Sequence, residues 1–184
     1  MSSDGADTTE VRFGGVGGQG IVLAGHLLGK AAALYDGKDA VCTQSYGPEA
    51  RGGASRADVV ISDGPVDYPF VTDADVLVAF FQEAYTRFRD RLKPGGMLIV
   101  DTGLVEVMED DDVCGLSATQ IAEALGSRML ANVVMLGYLI GKTGVVSRES
   151  LEQAIRTTVK EQVVELDLRA LDAGIALANE DDAS

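Results

Sequence analysis

The sequence is poor in several residue types that carry common functions. The 184-residue chain contains no tryptophan, one histidine and two cysteines. Cys42 and Cys114 lie far apart and no Cys-x-x-Cys motif is present, so this chain alone cannot hold a cysteine-ligated iron–sulfur cluster or a zinc ribbon. His26 has no second histidine with which to form a metal site. We therefore predict no metal site in this chain by itself.

Positive charge and long apolar runs are also scarce. Fifteen Lys and Arg stand against 29 Asp and Glu, a formal net charge of −14, and no basic patch is present. This balance argues against nucleic acid and anionic membranes as partners. No apolar run reaches about 18 residues, and no basic leader precedes an apolar segment, so neither membrane insertion nor secretion is indicated. We expect a cytoplasmic location.

The length of the chain fits one domain. Hydrophobic residues make up 46% of the sequence but aromatic residues only 5%, which indicates a core of Val, Leu, Ile and Ala. Such cores are typical of α/β proteins whose sheet is buried on both faces. Residues 1–10 are expected to form a flexible, polar and acidic tail, and residues 179–184 a second acidic tail. Residues 11–178 then form a single α/β domain.

Strand and helix patterns alternate along this domain. A helical pattern runs over 21–36 and another over 82–92, while β-type runs cover 39–44, 57–62, 75–81 and 97–101. The order of strand, helix, Pro-Gly turn and strand between 75 and 101 indicates a βαβ unit. We predict a three-layer α/β/α fold with a largely parallel central sheet. Its functional edge should lie at the carboxyl ends of the strands, at 14–20, 43–46, 81–82 and 101–102.

The stretch between the first strand and the first helix is rich in glycine. Gly15-x-Gly17-x-x-Gly20 follows a short β-type run and leads directly into the helical pattern, as in Rossmann-like loops. Glycines leave no Cβ to block a ligand, and the free N–H groups that open the helix favour an anion. The sequence thus predicts an anion site; the alternative is a tight turn that binds nothing.

A second unusual loop follows the second strand. Turn-forming residues cluster at Gly47-Pro48 and Gly52-Gly53, around one carboxylate, Glu49, and one guanidinium, Arg51. In an acidic protein, an arginine next to two glycines is well placed to hold a phosphate or carboxylate through two hydrogen bonds. The alternative is a pair between Glu49 and Arg51, or between Arg51 and an acid of a partner.

Several enzyme classes are disfavoured by what the motifs omit. A dinucleotide site requires an acidic residue at the end of the second strand, and here that strand ends Cys42-Thr-Gln-Ser45. A nucleophile elbow and the lysine-bearing phosphate loop are also absent. A ligand-binding loop without a complete catalytic constellation indicates a subunit of a larger enzyme.

The segment 129–140 is apolar at almost every position except Asn132 and is too short to span a bilayer. A helix that is apolar on all sides must be covered on all sides. The sheet covers one side, so the other must lie under the C-terminal helix or in a subunit interface. We expect the subunit interface, and the isolated chain should therefore self-associate.

Taken together, these motifs resemble the gamma subunit, or gamma domain, of 2-oxoacid:ferredoxin oxidoreductases. The resemblance rests on five motifs in the same order: Gly15-Val-Gly-Gly-Gln-Gly20, Ser45-Tyr-Gly-Pro-Glu-Ala-Arg-Gly-Gly53 with Ser55 after it, Asp75-Val-Leu-Val-Ala79, Lys93-Pro-Gly-Gly-Met-Leu-Ile-Val-Asp101 and Asn132-Val-Val-Met-Leu-Gly137. It implies a subunit without catalytic residues of its own that assembles with alpha and beta subunits. Those subunits hold thiamine diphosphate and iron–sulfur clusters.

In that family, the assembled enzyme oxidatively decarboxylates a 2-oxoacid, transfers the acyl group to coenzyme A and reduces ferredoxin. The resemblance implies that the gamma domain helps to bind coenzyme A, through Gly17, Gly18, Gln19, Gly20, Tyr46, Glu49, Arg51, Gly52 and Gly53. The form of the second loop is closest to 2-oxoglutarate or pyruvate types. A different hypothesis remains open, that of a stand-alone homodimeric regulatory module that binds a nucleotide without catalysis.

Overall fold

The computed structural model describes residues 7–45 and 55–183. Within these ranges the elements are β1 (Thr8–Gly15), α1 (Ile21–Leu34), β2 (Asp39–Ser45), β3 (Ser55–Ser62), β4 (Ala74–Ala79), α2 (Gln82–Phe88), β5 (Leu92–Asp101), β6 (Val113–Leu116), α3 (Ala118–Ala124), α4 (Ala131–Thr143), α5 (Arg148–Arg156) and α6 (Glu161–Asp182). Single 3₁₀ turns at Arg89–Arg91 and Arg128–Leu130 follow α2 and precede α4.

The strands form one mixed sheet in the order β2-β3-β1-β4-β5-β6. Strands β1, β4, β5 and β6 run parallel to one another, whereas β3 is antiparallel to both of its neighbours, β1 and β2. The segment 46–54 between β2 and β3 is shorter than the dozen or so residues that a parallel crossover requires. The predicted α/β class and largely parallel sheet are confirmed: five of the six described strands point the same way, and β3 alone among them is reversed, which makes the sheet mixed.

Successive side chains along each strand point to opposite faces of the sheet, and the two faces pack against different layers of helices. On one face, Val11 and Phe13 of β1 join the main core beneath α1, α3, α4, α5 and α6. On the other face, Leu77 and Leu98 pack against α2 in a smaller core. Helices therefore lie on both sides of the sheet, as predicted, but the two helical layers are very unequal.

Helix α4 is core, which corrects the expectation that one of its sides forms a subunit interface. Each residue from Ala131 to Ile140 is buried within this chain, because α6 packs along α4. The two helix backbones approach closely at glycines: a Cβ added to Gly137 would lie 2.1 Å from the Leu171 carbonyl oxygen. Met129, assigned to the same apolar segment, lies instead in the preceding 3₁₀ turn and is 71% exposed.

The ends of the domain also differ from prediction. Strand β1 begins at Thr8, so the last residues assigned to the N-terminal tail belong to the sheet. Glu10 is fixed there, since its N–H donates to Asp75 (2.8 Å) and its carboxylate contacts Lys93 (2.6 Å). Helix α6 continues to Asp182, beyond the predicted domain end at residue 178. None of the helices in the described ranges is both long and apolar enough to cross a membrane.

Candidate functional site

The glycine loop forms an open turn between β1 and α1. Gly18 (φ 89°) and Gly20 (φ 71°) adopt left-handed conformations that favour glycine. A Cβ added to Gly17 or Gly18 would meet no atom of residues 7–45 or 55–183 within 4 Å, so these ranges leave the backbone open on this side. Gly20 caps α1 without a side-chain hydrogen bond, and the first turn of the helix contains no acidic residue. The first N–H groups of α1 are thus available to an anion from outside the loop.

The Gln19 side chain holds the loop in place. Its Oε1 accepts a hydrogen bond from the Val16 N–H (2.8 Å), and its Nε2 donates to the Phe80 carbonyl oxygen (3.1 Å) just beyond β4. Both ends of the amide are therefore bonded within the chain. Gln19 does not line the neighbouring groove, unlike Gly17, Gly18 and Gly20.

A second side-chain amide, that of Asn132, also holds the glycine loop in place. Asn132, the polar residue in the apolar α4, is 3% exposed and donates from Nδ2 to the Gly20 carbonyl oxygen (3.3 Å). Its Oδ1 accepts from the Val133 N–H (2.9 Å). The sequence shows a lone amide in an apolar helix, but the contact with Gly20, 112 residues away, depends on how α4 packs beside α1.

A groove of about 650 Å³ runs beside the glycine loop. Its described lining is mostly apolar and carries three polar side chains; the lining residues are Val16, Gly17, Gly18, Gly20, Ile21, Val22, Leu23 and Met129, with His26, Gln44 and Ser55. Lysine and arginine are missing from this described lining. A positive charge for an anionic ligand must therefore come from elsewhere.

The second predicted loop starts and ends at this groove. Gln44 and Ser55 line it, and the chain between them carries Arg51. Five of the predicted site residues, Tyr46, Glu49, Arg51, Gly52 and Gly53, lie outside the described residues. Ser45 at the end of β2 and Gly14 near the end of β1 both pair with Arg56, so the end of β2 and the start of β3 lie at the same edge of the sheet as the glycine loop.

Other residues at this edge serve the fold. Asp101 is 1% exposed, and its carboxylate accepts hydrogen bonds from the N–H groups of Gly103 (3.0 Å) and Thr119 (2.9 Å). The Gln82 amide bonds to both backbone groups of Glu106. These contacts order the segment after β5, so neither side chain is free to meet a ligand in the groove.

The two cysteines lie on β2 and β6, the opposite edges of the sheet. Burial raises the pKa of the Cys42 thiol, and burial likewise raises the pKa of Cys114. Both side chains are therefore weaker nucleophiles than an exposed thiol. Among the residues in the described ranges, no cluster of metal-ligating side chains occurs.

The chain is similar to known proteins over most of its length. The family model described as pyruvate ferredoxin/flavodoxin oxidoreductase matches residues 10–177. The 2-oxoglutarate synthase subunit KorC of Methanocaldococcus jannaschii is 49% identical over 176 residues, which cover 93% of this chain and 94% of that protein.

Two solved structures have the same fold. The gamma subunit of a keto/oxoacid ferredoxin oxidoreductase from Geobacter sulfurreducens matches with a TM-score of 0.85 and 42% identity, over 94% of this chain and 99% of that one. A 2-oxoglutarate:ferredoxin oxidoreductase from Magnetococcus marinus, solved with 2-oxoglutarate, coenzyme A and succinyl-CoA bound, matches with a TM-score of 0.84 and 28% identity. This match covers 94% of the present chain and 31% of that longer chain.

Proposed function

Because the chain belongs to the pyruvate ferredoxin/flavodoxin oxidoreductase family, of which it is a gamma-type subunit, we propose that it serves a 2-oxoglutarate:ferredoxin oxidoreductase. The family resemblance predicted from the two glycine loops is confirmed. The proposed holoenzyme converts 2-oxoglutarate and coenzyme A to succinyl-CoA and CO₂ and transfers the electrons to ferredoxin. The comparisons give no support to the alternative of a stand-alone regulatory module.

One observation carries the choice of substrate. The relative named as a 2-oxoglutarate synthase subunit is 49% identical and matches nearly the whole length of both chains. The Magnetococcus marinus structure, whose chain contains a similar domain, holds 2-oxoglutarate, coenzyme A and succinyl-CoA. Pyruvate, the other substrate that the sequence favoured, becomes the second candidate.

We assign coenzyme A to the groove beside the glycine loop. Its glycine end offers free N–H groups of α1 and an unobstructed backbone at Gly17 and Gly18, which suits a phosphate oxygen. The apolar wall suits the uncharged arm of the same molecule. Since the described lining carries no lysine or arginine, Arg51 in the adjoining loop supplies the positive charge.

The cofactors of the holoenzyme belong to the other subunits in this proposal. Thiamine diphosphate supplies the chemistry of decarboxylation, and iron–sulfur clusters carry the electrons. Cys42 and Cys114 lie on opposite edges of the sheet and cannot ligate one cluster together. The present chain contributes binding and orientation of coenzyme A, and ferredoxin meets the complex elsewhere.

The family implies partner subunits, and we propose alpha and beta subunits in a cytoplasmic complex. Self-association of the isolated chain also stays a prediction, although α4 no longer supports it. Exposed apolar side chains elsewhere, such as Met108 (56%) and Val163 (42%), give it a different basis.

Purification through a tag on this chain, from cells that express the whole complex, tests the proposal. We expect larger subunits to co-elute with it, carrying bound thiamine diphosphate and the brown absorbance of iron–sulfur clusters. The matched control is the tagged chain produced alone, which should be colourless. A chain that elutes without partners from the complete system would contradict the assignment.

A further inference from the structure

The loop between β3 and β4 displays an exposed aromatic pair. Tyr68 is 62% exposed and Phe70 is 56% exposed, and their rings meet edge to face with centroids 5.6 Å apart. Most of the other aromatic side chains described, such as Phe13 and Tyr138, are buried. Two adjacent exposed rings are the type of surface that protein interfaces use as anchors.

A buried ion pair holds this loop against the sheet. Arg12 and Asp58 are each 2% exposed, and the guanidinium donates to both carboxylate oxygens at 2.8 and 3.0 Å. The same guanidinium donates to the carbonyl oxygen of Val71 (2.6 Å) and contacts that of Thr72 (3.5 Å). Burying two charges is costly unless they are fully bonded, so this arrangement fixes the C-terminal part of the loop to the middle of the sheet.

Further contacts stiffen the loop. Val71 is buried with Val60 of β3 and Ala74 of β4, and Val66 packs against this small cluster. Proline residues at 65 and 69 restrict the backbone on either side of Tyr68. A loop that is ordered before binding loses less conformational entropy when a partner covers it, which favours affinity.

The aromatic pair lies far from the proposed coenzyme A groove. The loop joins the C-terminal end of β3 to the N-terminal end of β4, and in the sheet register Ser62 pairs with Thr8 at the start of β1. The glycine loop follows the opposite end of β1. Substitutions at Tyr68 and Phe70 therefore leave the groove untouched.

Acidic residues flank the two aromatic residues in the sequence of this loop. Asp63 forms an ion pair with Lys38 (3.4 Å), and Asp73 forms one with Arg91 (3.6 Å). The exposed Asp67, next to Tyr68, forms no ion pair with any residue in the described ranges. A surface that fits this one therefore has an apolar depression and a basic side chain beside it.

We propose that Tyr68 and Phe70 anchor this chain to another subunit of the oxidoreductase, in an apolar depression with a basic group facing Asp67. The inference rests on the proposed assembly, but not on coenzyme A binding by this chain. It also gives the buried pair of Arg12 and Asp58 a role, because that pair presents the anchor.

The test is a double variant, Tyr68→Ser with Phe70→Ser, in the co-expressed complex. Its matched control is Leu34→Ser, which alters an equally exposed apolar residue at the end of α1. Affinity for the partner subunits is measured by titration, and the melting temperature of each isolated chain by circular dichroism. We expect the double variant to bind at least about thirtyfold more weakly than wild type and to melt at the wild-type temperature. The control should match wild type in both. Asp67→Lys should weaken binding about tenfold, and the effect should shrink in high salt.

Equal partner affinity of the double variant and wild type would overturn this surface while leaving the proposed function intact. A double variant that loses only self-association of the isolated chain would show that the occupant is a second copy. If the wild-type chain recruits no partner subunits at all, both the surface and the proposed function fail.

Discussion

Alanine substitution should lower the stability of the chain at one glycine of the loop, Gly20, and leave it nearly unchanged at another, Gly17. Gly20 has a left-handed conformation, and its added Cβ would lie 2.4 Å from Asn132 Nδ2. The left-handed conformation costs an alanine about 1–2 kcal/mol, and displacing a packed amide costs a similar amount. A loss of about 3 kcal/mol lowers the melting temperature by roughly 6–12 °C for a domain of this size. Gly17→Ala adds a Cβ that meets no atom of the described residues within 4 Å, so it should change stability by less than about 0.5 kcal/mol.

The same pair separates folding from ligand binding. In the proposed complex, the methyl group introduced by Gly17→Ala projects into the space that coenzyme A uses. KM for coenzyme A should therefore rise about tenfold, the equivalent of about 1.4 kcal/mol. Thermal melting of the purified chains and steady-state kinetics of the assembled enzymes provide the two measurements. A Gly17→Ala enzyme with wild-type KM, or a Gly20→Ala chain with wild-type melting temperature, would refute the corresponding part of the reasoning.

Two further substitutions test charge. Arg51→Ala in the assembled enzyme should raise KM for coenzyme A about ten- to hundredfold without changing thiamine diphosphate content, because a charge-assisted contact is worth about 1.5–3 kcal/mol; Arg51→Lys is the control and should lie between. An unchanged KM would remove Arg51 from the site. Burial raises the pKa of Asp167 to about 6, above the 3.8 of an unburied carboxyl group, so the folded chain binds this proton more tightly than the unfolded chain. The resulting penalty grows as pH rises from about 4 to about 6 and is then complete, at most about 3 kcal/mol. Asp167→Asn should therefore raise the melting temperature at pH 8 but not at pH 4, and an equal shift at both values would contradict the stated cause.

Local signals in the sequence were sufficient for the first half of the site. Glycines at fixed spacing between a β-type run and an apolar helical pattern predicted the loop after β1 and the start of α1 at Ile21. The predicted end of the second strand, at 43–46, placed Gln44 at the same edge, whereas Ser55 was not among the residues predicted there. These features depend on residues that are close in the chain or on the general topology of α/β sheets.

The remaining features depend on contacts between distant residues. The direction of the Gln19 amide is set by Phe80, and the role of Asn132 is set by Gly20, which no periodicity in the sequence reveals. The covering of α4 was ambiguous for the same reason. Only the close approach at Gly137 and Gly174 shows that α6 covers it completely. The antiparallel direction of β3 was missed because the predicted strands left residues 45–56 between them, about the length of a parallel crossover, whereas β2 and β3 are longer and leave only 46–54.

The most direct test of the central claim is the activity of the complex purified through this chain. The assay follows the reduction of ferredoxin with 2-oxoglutarate, with and without coenzyme A, and repeats it with pyruvate. The account predicts coenzyme A-dependent turnover of 2-oxoglutarate that clearly exceeds turnover of pyruvate, with succinyl-CoA as the product. Purified material that turns over neither 2-oxoacid, or reduces ferredoxin without any need for coenzyme A, would contradict it.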